Sequence, residues 1–112
     1  MTSPDNQKQD PTDAEAQLVL KARTACEMAE MSLDQLSDEY ERERFGKFVS
    51  KAESAAYATS DPFYRSAALH PLVVLLAKAG RTQKASEHLD SIQDTFVRSK
   101  AEQELAEIGV AT

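Results

Sequence analysis

The chain has 112 residues, 41% of them apolar, with only three Gly and four Pro. That length and composition suit one small core and exclude two separately cored domains, a collagen-like chain or a wholly disordered one. Thirteen Lys and Arg against nineteen Asp and Glu give a formal charge of −6, so the basic footprint of a nucleic-acid binder is absent and neither nucleic acid nor an anionic membrane is an expected partner.

Residues 1–11 are polar, contain Pro4 and Pro11, and offer no aliphatic side chain after Met1. They cannot bury enough to offset ordering entropy and are expected to form a disordered tail. Thr12-Asp13-Ala14-Glu15 has capping-box spacing and predicts a helix start. Leu18, Ala22, Ala25, Ala29, Leu33 and Leu36 then recur in steps of three or four, one stripe of a helix reaching about Leu36, a spacing that leaves open whether the helix is continuous or broken near Thr24. Asp38, followed by Glu41, opens a second helix from Glu39 to Ala58, with Phe45, Phe48, Val49, Ala52, Ala56 and Thr59 along one face.

Asp61-Pro62 predicts a third helix, because Asp caps free amides and proline at the first position has no amide to leave unpaired. Gly80 ends it. Leu69, Leu72, Val73, Val74, Leu75 and Leu76 point in nearly every direction around its axis, as expected of a central helix packed on several sides. Pro71 lies inside it and predicts a bend between Leu69 and Leu72 that frees the Ala67 carbonyl. Thr82 is read as the cap of a fourth helix bearing Ala85, Leu89 and Ile92. Asp94 opens a fifth, carrying Val97, Ala101, Leu105 and Ile108 and ended by Gly109. No segment has strand alternation. The expected fold is all-α, about five antiparallel helices in a single domain over residues 12–109.

The sequence repeats itself. LDSIQDTFVR at Leu89–Arg98 aligns without gaps on LDQLSDEYER at Leu33–Arg42, and Asp61-Pro62-Phe63-Tyr64-Arg65 carries the same Asp-x-aromatic-x-Arg core. Repeated helix pairs are the signature of an α-solenoid. The stretch from Pro62 to Asp94, with Leu75-Leu76-Ala77-Lys78-Ala79-Gly80 and then Ala85, resembles a tetratricopeptide-like repeat. The resemblance implies a short array of antiparallel helices that acts as a protein-binding scaffold.

Arg42, Arg65 and Arg98 could form a row of ligand-reading side chains, one per repeat. A simpler assignment gives every recurring residue a structural role, with Asp38, Asp61 and Asp94 as caps, Tyr40, Phe63 and Phe96 as anchors, and each Arg paired with the acid four residues before it. His70 and His88 have no companions at metal-ligand spacing and read as surface or packing residues. Cys26 is the only cysteine. It excludes an internal disulfide, fits a reducing compartment, and sits beside Ala25 and Ala29 as a buried residue would, without a histidine to activate it. The acids from Asp38 to Glu43 alternate with Arg42 and Arg44 as a solvated face and lack the Gly and spaced oxygen ligands of a calcium loop.

No phosphate loop, dinucleotide fingerprint or nucleophile elbow appears, so no catalytic, cofactor or metal residues are expected. The longest aliphatic run, Leu72 to Ala77, is far too short to span a bilayer, and the first residues lack a signal-peptide pattern; the expected location is cytoplasmic. The expected function is a noncatalytic protein-interaction module that receives a peptide or helix of another protein. The alternative is an acidic regulator that occupies a basic surface of another protein. Leu105 and Ile108, on a final helix with none after it, are the expected contact of a homodimer or constitutive partner.

Overall fold

The computed structural model describes residues 11–109, with side chains from Asp13 onward. They form five α-helices, α1 (Pro11–Glu30), α2 (Glu39–Ala58), α3 (Pro62–Lys78), α4 (Thr82–Asp90) and α5 (Thr95–Ile108), with a 3-10 turn at Leu33–Gln35. Among the described residues there is no strand, and the fold is all-α. Helix α1 opens at Pro11, inside the stretch read as a tail; residues 1–10 and the Thr12 side chain lie outside the described part.

Three joins between helices use the repeated aspartate. Asp38 accepts the amide of Glu41 at 3.0 Å, Asp61 those of Phe63 and Tyr64 at 2.8 and 3.2 Å, and Asp94 that of Val97 at 2.9 Å. Each satisfies donors that a helix start leaves free. The arginines and aromatics of the repeat behave differently from expectation. With their carboxylates turned onto amides, Asp38 and Asp61 do not pair with the arginines four residues on. Instead Arg42 donates to the Leu36 carbonyl at 3.0 Å and Arg65 to the Thr59 carbonyl, each reaching six residues back to close the turn. Arg98 bonds Asp90 and Glu102. The aromatics are not anchors: Tyr40, Phe63 and Phe96 are 69%, 52% and 73% exposed.

Helix α1 passes through Thr24 without a break, since one β-branched residue costs only a few tenths of a kcal/mol and Ala22, Ala25, Cys26 and Ala29 around it are buried. It stops at Glu30, short of Leu36. The cause is Ser32, fully buried, whose hydroxyl donates to Glu41 at 2.8 Å and accepts from Arg44 at 2.9 Å. Arg44 also takes the Met28 carbonyl at 3.0 Å, an acceptor that the helix end would otherwise leave open. Leu33 and Leu36 still pack on the core, from the 3-10 turn rather than from a helix.

Helix α3 occupies the centre and packs against all four others. Leu69, Leu72, Val73 and Leu76 are fully buried, and the helix runs unbroken through Pro71. It closes at Gly80, φ +79°, with the amides of Gly80 and Arg81 on the carbonyls of Ala77 and Leu76 at 3.0 and 2.8 Å. This paired closure uses the left-handed conformation that glycine takes without strain. It leaves Arg81 in the capping position and makes Thr82 the first helical residue, so Thr82 is not a cap.

Polar ties set the directions of the helices. Glu15 near the start of α1 accepts the amides of Ser60 and Asp61 just after α2, so α1 and α2 are antiparallel. The Arg81 guanidinium lies 4.8 Å from the Phe45 ring centre, bringing the end of α3 to the start of α2. Ser66, fully buried on α3, accepts the amides of Gln93 and Asp94 at 3.1 Å each while donating to the Pro62 carbonyl. That one hydroxyl seats the start of α5 beside the start of α3. Helices α1, α3 and α5 therefore form one layer, with α2 and α4 against it.

Candidate functional site

The outer side of the α1/α2 hairpin, away from α3, carries an open groove of about 720 Å³ lined by Ala14, Gln17, Leu18, Leu20, Lys21, Thr24, Ala25 and Met28 of α1 with Phe48 and Lys51 of α2. Two smaller depressions continue it along α2. One adds Lys47, Ser54 and Ala58, the other Tyr40, Glu43 and Arg44. Leu18, Met28 and Phe48 are half-buried and form an apolar floor, while Leu20 is 60% exposed at its edge. Lys21, Lys47 and Lys51 stand along the groove and make no ion pair with a described residue. Arg44 is held by the Met28 carbonyl and Ser32, with its guanidinium 5.1 Å from the centre of the Phe48 ring. Among the described residues Glu43 is the only acid lining the three depressions. In a chain of charge −6, this face is locally basic.

A second groove, about 370 Å³, lies on the layer of α1, α3 and α5 and includes Cys26, His70, Pro71 and Glu104. Pro71 lies in the lining of this groove. A hydrogen bond and an ion pair already cross this one: His70 Nε2 meets Glu104 at 2.6 Å and Lys78 meets Glu30 at 3.4 Å. Burial, with the charges of Glu30 and Glu27 behind it, pushes the Cys26 thiol up to about 12. A thiol so placed stays protonated at neutral pH and is a poor nucleophile.

A polar strap joins α2 to α4. His88, buried, places Nε2 at 2.9 Å from Glu53 and Nδ1 at 2.8 Å from the Tyr57 hydroxyl, and Lys84 Nζ reaches the same Glu53 carboxylate at 2.9 Å. The ring satisfies both neighbours when Nε2 donates to the carboxylate and Nδ1 accepts from the phenol. Burial raises the Glu53 carboxyl, but the hydrogen bonds and charges of Lys84 and His88 outweigh it and hold the group below its ordinary value. Carboxylate, imidazole and phenol in line could relay a proton, yet none of these grooves reaches them. Among the described residues no group of three His, Cys, Asp or Glu is placed to hold a metal.

The residues singled out from the sequence do not converge. Arg42 and Arg65 close separate turns, and Arg98 bridges Asp90 at the end of α4 and Glu102 of α5. Leu105 is 1% exposed, packed into the core with Val97 and Ala101, because α3 covers the stripe expected to remain open. Ile108, at 37%, is the stripe's one exposed member. The groove was missed: Leu18, Ala25 and Phe48 of its lining read as members of helix stripes, and its other residues were not singled out for binding. Their signal is Leu18-Val19-Leu20, three adjacent apolar residues spread too far around a helix for one stripe to hold, beside a Lys47/Lys51 pair one turn apart.

Searches of protein-family models, curated proteins and solved structures found no match to this chain. No helix among the described residues is long and apolar enough to cross a membrane.

Proposed function

We propose that the protein is a noncatalytic interaction module that docks a segment of another protein in the α1/α2 groove. The observation that carries this reading is an apolar floor left uncovered on a chain whose other large apolar side chains mostly have neighbours to pack against. Exposed apolar patches rimmed by polar residues mark interaction surfaces. The helix layers support the same reading, since an array of this kind fixes a groove on rigid walls. The second groove is the weaker candidate because it has about half the volume, 370 Å³, and is already crossed by the His70–Glu104 and Lys78–Glu30 contacts.

Selection of a displayed random-peptide library against the full chain tests the proposal. Leu20→Glu and Thr24→Glu, both at exposed positions, put acids on the floor's edge without touching the core. Enriched peptides should bind wild type and lose most of their affinity for this double variant. Peptides that ignore it, or a selection without enrichment, would overturn the assignment.

A further inference from the structure

Resting on that docking reading, we infer the chemistry of the occupant: an α-helix of another protein, with an apolar stripe flanked by Asp and Glu. The groove's shape is the first argument. From Ala14 to Met28 it follows α1 for about 21 Å at the ordinary helical rise, roughly four turns, and its three depressions are joined through Leu18, Lys21, Lys47, Phe48 and Lys51. A long apolar trough between two helices matches the ridge of a third.

The walls give the second argument. An extended peptide that adds to a sheet edge gains affinity from main-chain hydrogen bonds. The midsections of α1 and α2 have their amides and carbonyls paired along the helices, so they offer such a peptide nothing. An occupant whose own backbone is satisfied and whose side chains make the contacts is a helix.

Charge gives the third. Among the described residues Lys21, Lys47 and Lys51 are in no ion pair, and Glu43 is the one acid that opposes them in the lining. Acids flanking the partner's apolar stripe would meet all three, whereas a second copy docking by the same face would set lysines against lysines. Nucleic acid would leave the apolar floor unsatisfied, and a membrane is a poor match for a concave floor on an acidic chain.

The test uses two synthetic helical peptides of about four turns with identical leucine stripes, one flanked by Glu and the other by Lys, titrated against the full chain by fluorescence anisotropy. The Glu peptide should bind about tenfold or more tightly than the Lys peptide at low salt, with the gap narrowing as salt rises. Lys21→Glu with Lys51→Glu, both exposed and confirmed folded by circular dichroism, should reverse the preference. Equal binding of both peptides, lost in the Leu20→Glu/Thr24→Glu variant, would overturn the acidic partner and leave the docking groove standing. Binding of neither peptide, while library peptides still bind through the groove, would overturn the helix. Binding to phosphatidylcholine–phosphatidylserine vesicles or to single-stranded DNA, with no peptide binding, would replace the proposal.

Discussion

Helices α1 and α3 both carry more apolar side chains than a single stripe can hold, and they resolve the excess differently. α3 packs against α1, α2, α4 and α5, so Leu69, Leu72, Val73, Leu75 and Leu76 are all buried, while Val74 is half-buried in the lining of the second groove. α1 packs chiefly on α2 and α3. Val19, Ala22, Ala25, Cys26 and Ala29 go inside, while Leu18 and Met28 line an open groove and Leu20 stands in solvent. Apolar excess in a helix therefore has two structural meanings, a central position or a docking face, and the number of packed neighbours separates them.

The largest effect expected from this contrast is at Leu76, which is fully buried. Truncation to Ala should remove about 2–5 kcal/mol, the range for a buried leucine whose surroundings cannot collapse around the void. That is a large share of a small domain's stability. Urea denaturation monitored by circular dichroism reads it directly, and a midpoint near that of wild type would break the distinction between the two helices. Ser66→Ala comes next. It strips the acceptor from two amides at the end of the α4–α5 join and should cost about 1–3 kcal/mol. A loss as small as that of an exposed serine would show that the join is held by packing alone.

The sequence was most legible where local chemistry decides the outcome. Asp38, Asp61 and Asp94 cap helices, and Gly80 and Gly109 close them with positive φ, because caps and left-handed closures depend on a few adjacent residues. Leu69 to Leu76 marked the central helix because a helix apolar on every side is stable only when neighbours surround it. What failed depended on distant partners. The end of α1 is set by Glu41 and Arg44 converging on Ser32, and the final stripe is covered by α3 rather than left open. The exposed Tyr40, Phe63 and Phe96 look in sequence like buried anchors, since periodicity does not say which side of a helix start meets the core. The groove stayed hidden for the same reason: the stripe that begins at Leu18 explained the helix, and Leu20 was surplus to it.

The strap between α2 and α4 gives a smaller, pH-dependent effect that separates polar ties from apolar packing. The Glu53 carboxyl is held below its ordinary 4.5 in the folded chain, with Lys84 and His88 overcoming the opposing effect of burial. A depressed folded value contributes stability that is present above the unfolded value and lost as pH falls through the folded one. Glu53→Gln should therefore be less stable than wild type near neutrality, and the gap should shrink as pH drops below 4.5. Parallel urea titrations of both proteins at about pH 6 and about pH 3 check this. A gap that is unchanged, or wider in acid, would show that the charge of Glu53 contributes nothing.

The smallest expected effect is the most discriminating one. Leu20 is 60% exposed on the rim of the α1/α2 groove, and Leu20→Ser removes an apolar side chain that few neighbours touch. The substitution should change unfolding stability by no more than about 0.5 kcal/mol, the ordinary scale for a surface site. Ser is a somewhat weaker helix former than Leu, so any change should be a slight loss. Leu76 and Leu20 are the same residue type, each inside a long helix, and differ chiefly in how many neighbours surround them. If Leu20→Ser instead destabilised the chain on the scale of Leu76→Ala, α1 would have to be covered at that face, and the groove would be part of the core rather than a place for a partner. If stability holds and the acid-flanked peptide loses affinity for the same variant, one leucine will have been shown to serve binding where its counterpart on α3 serves folding.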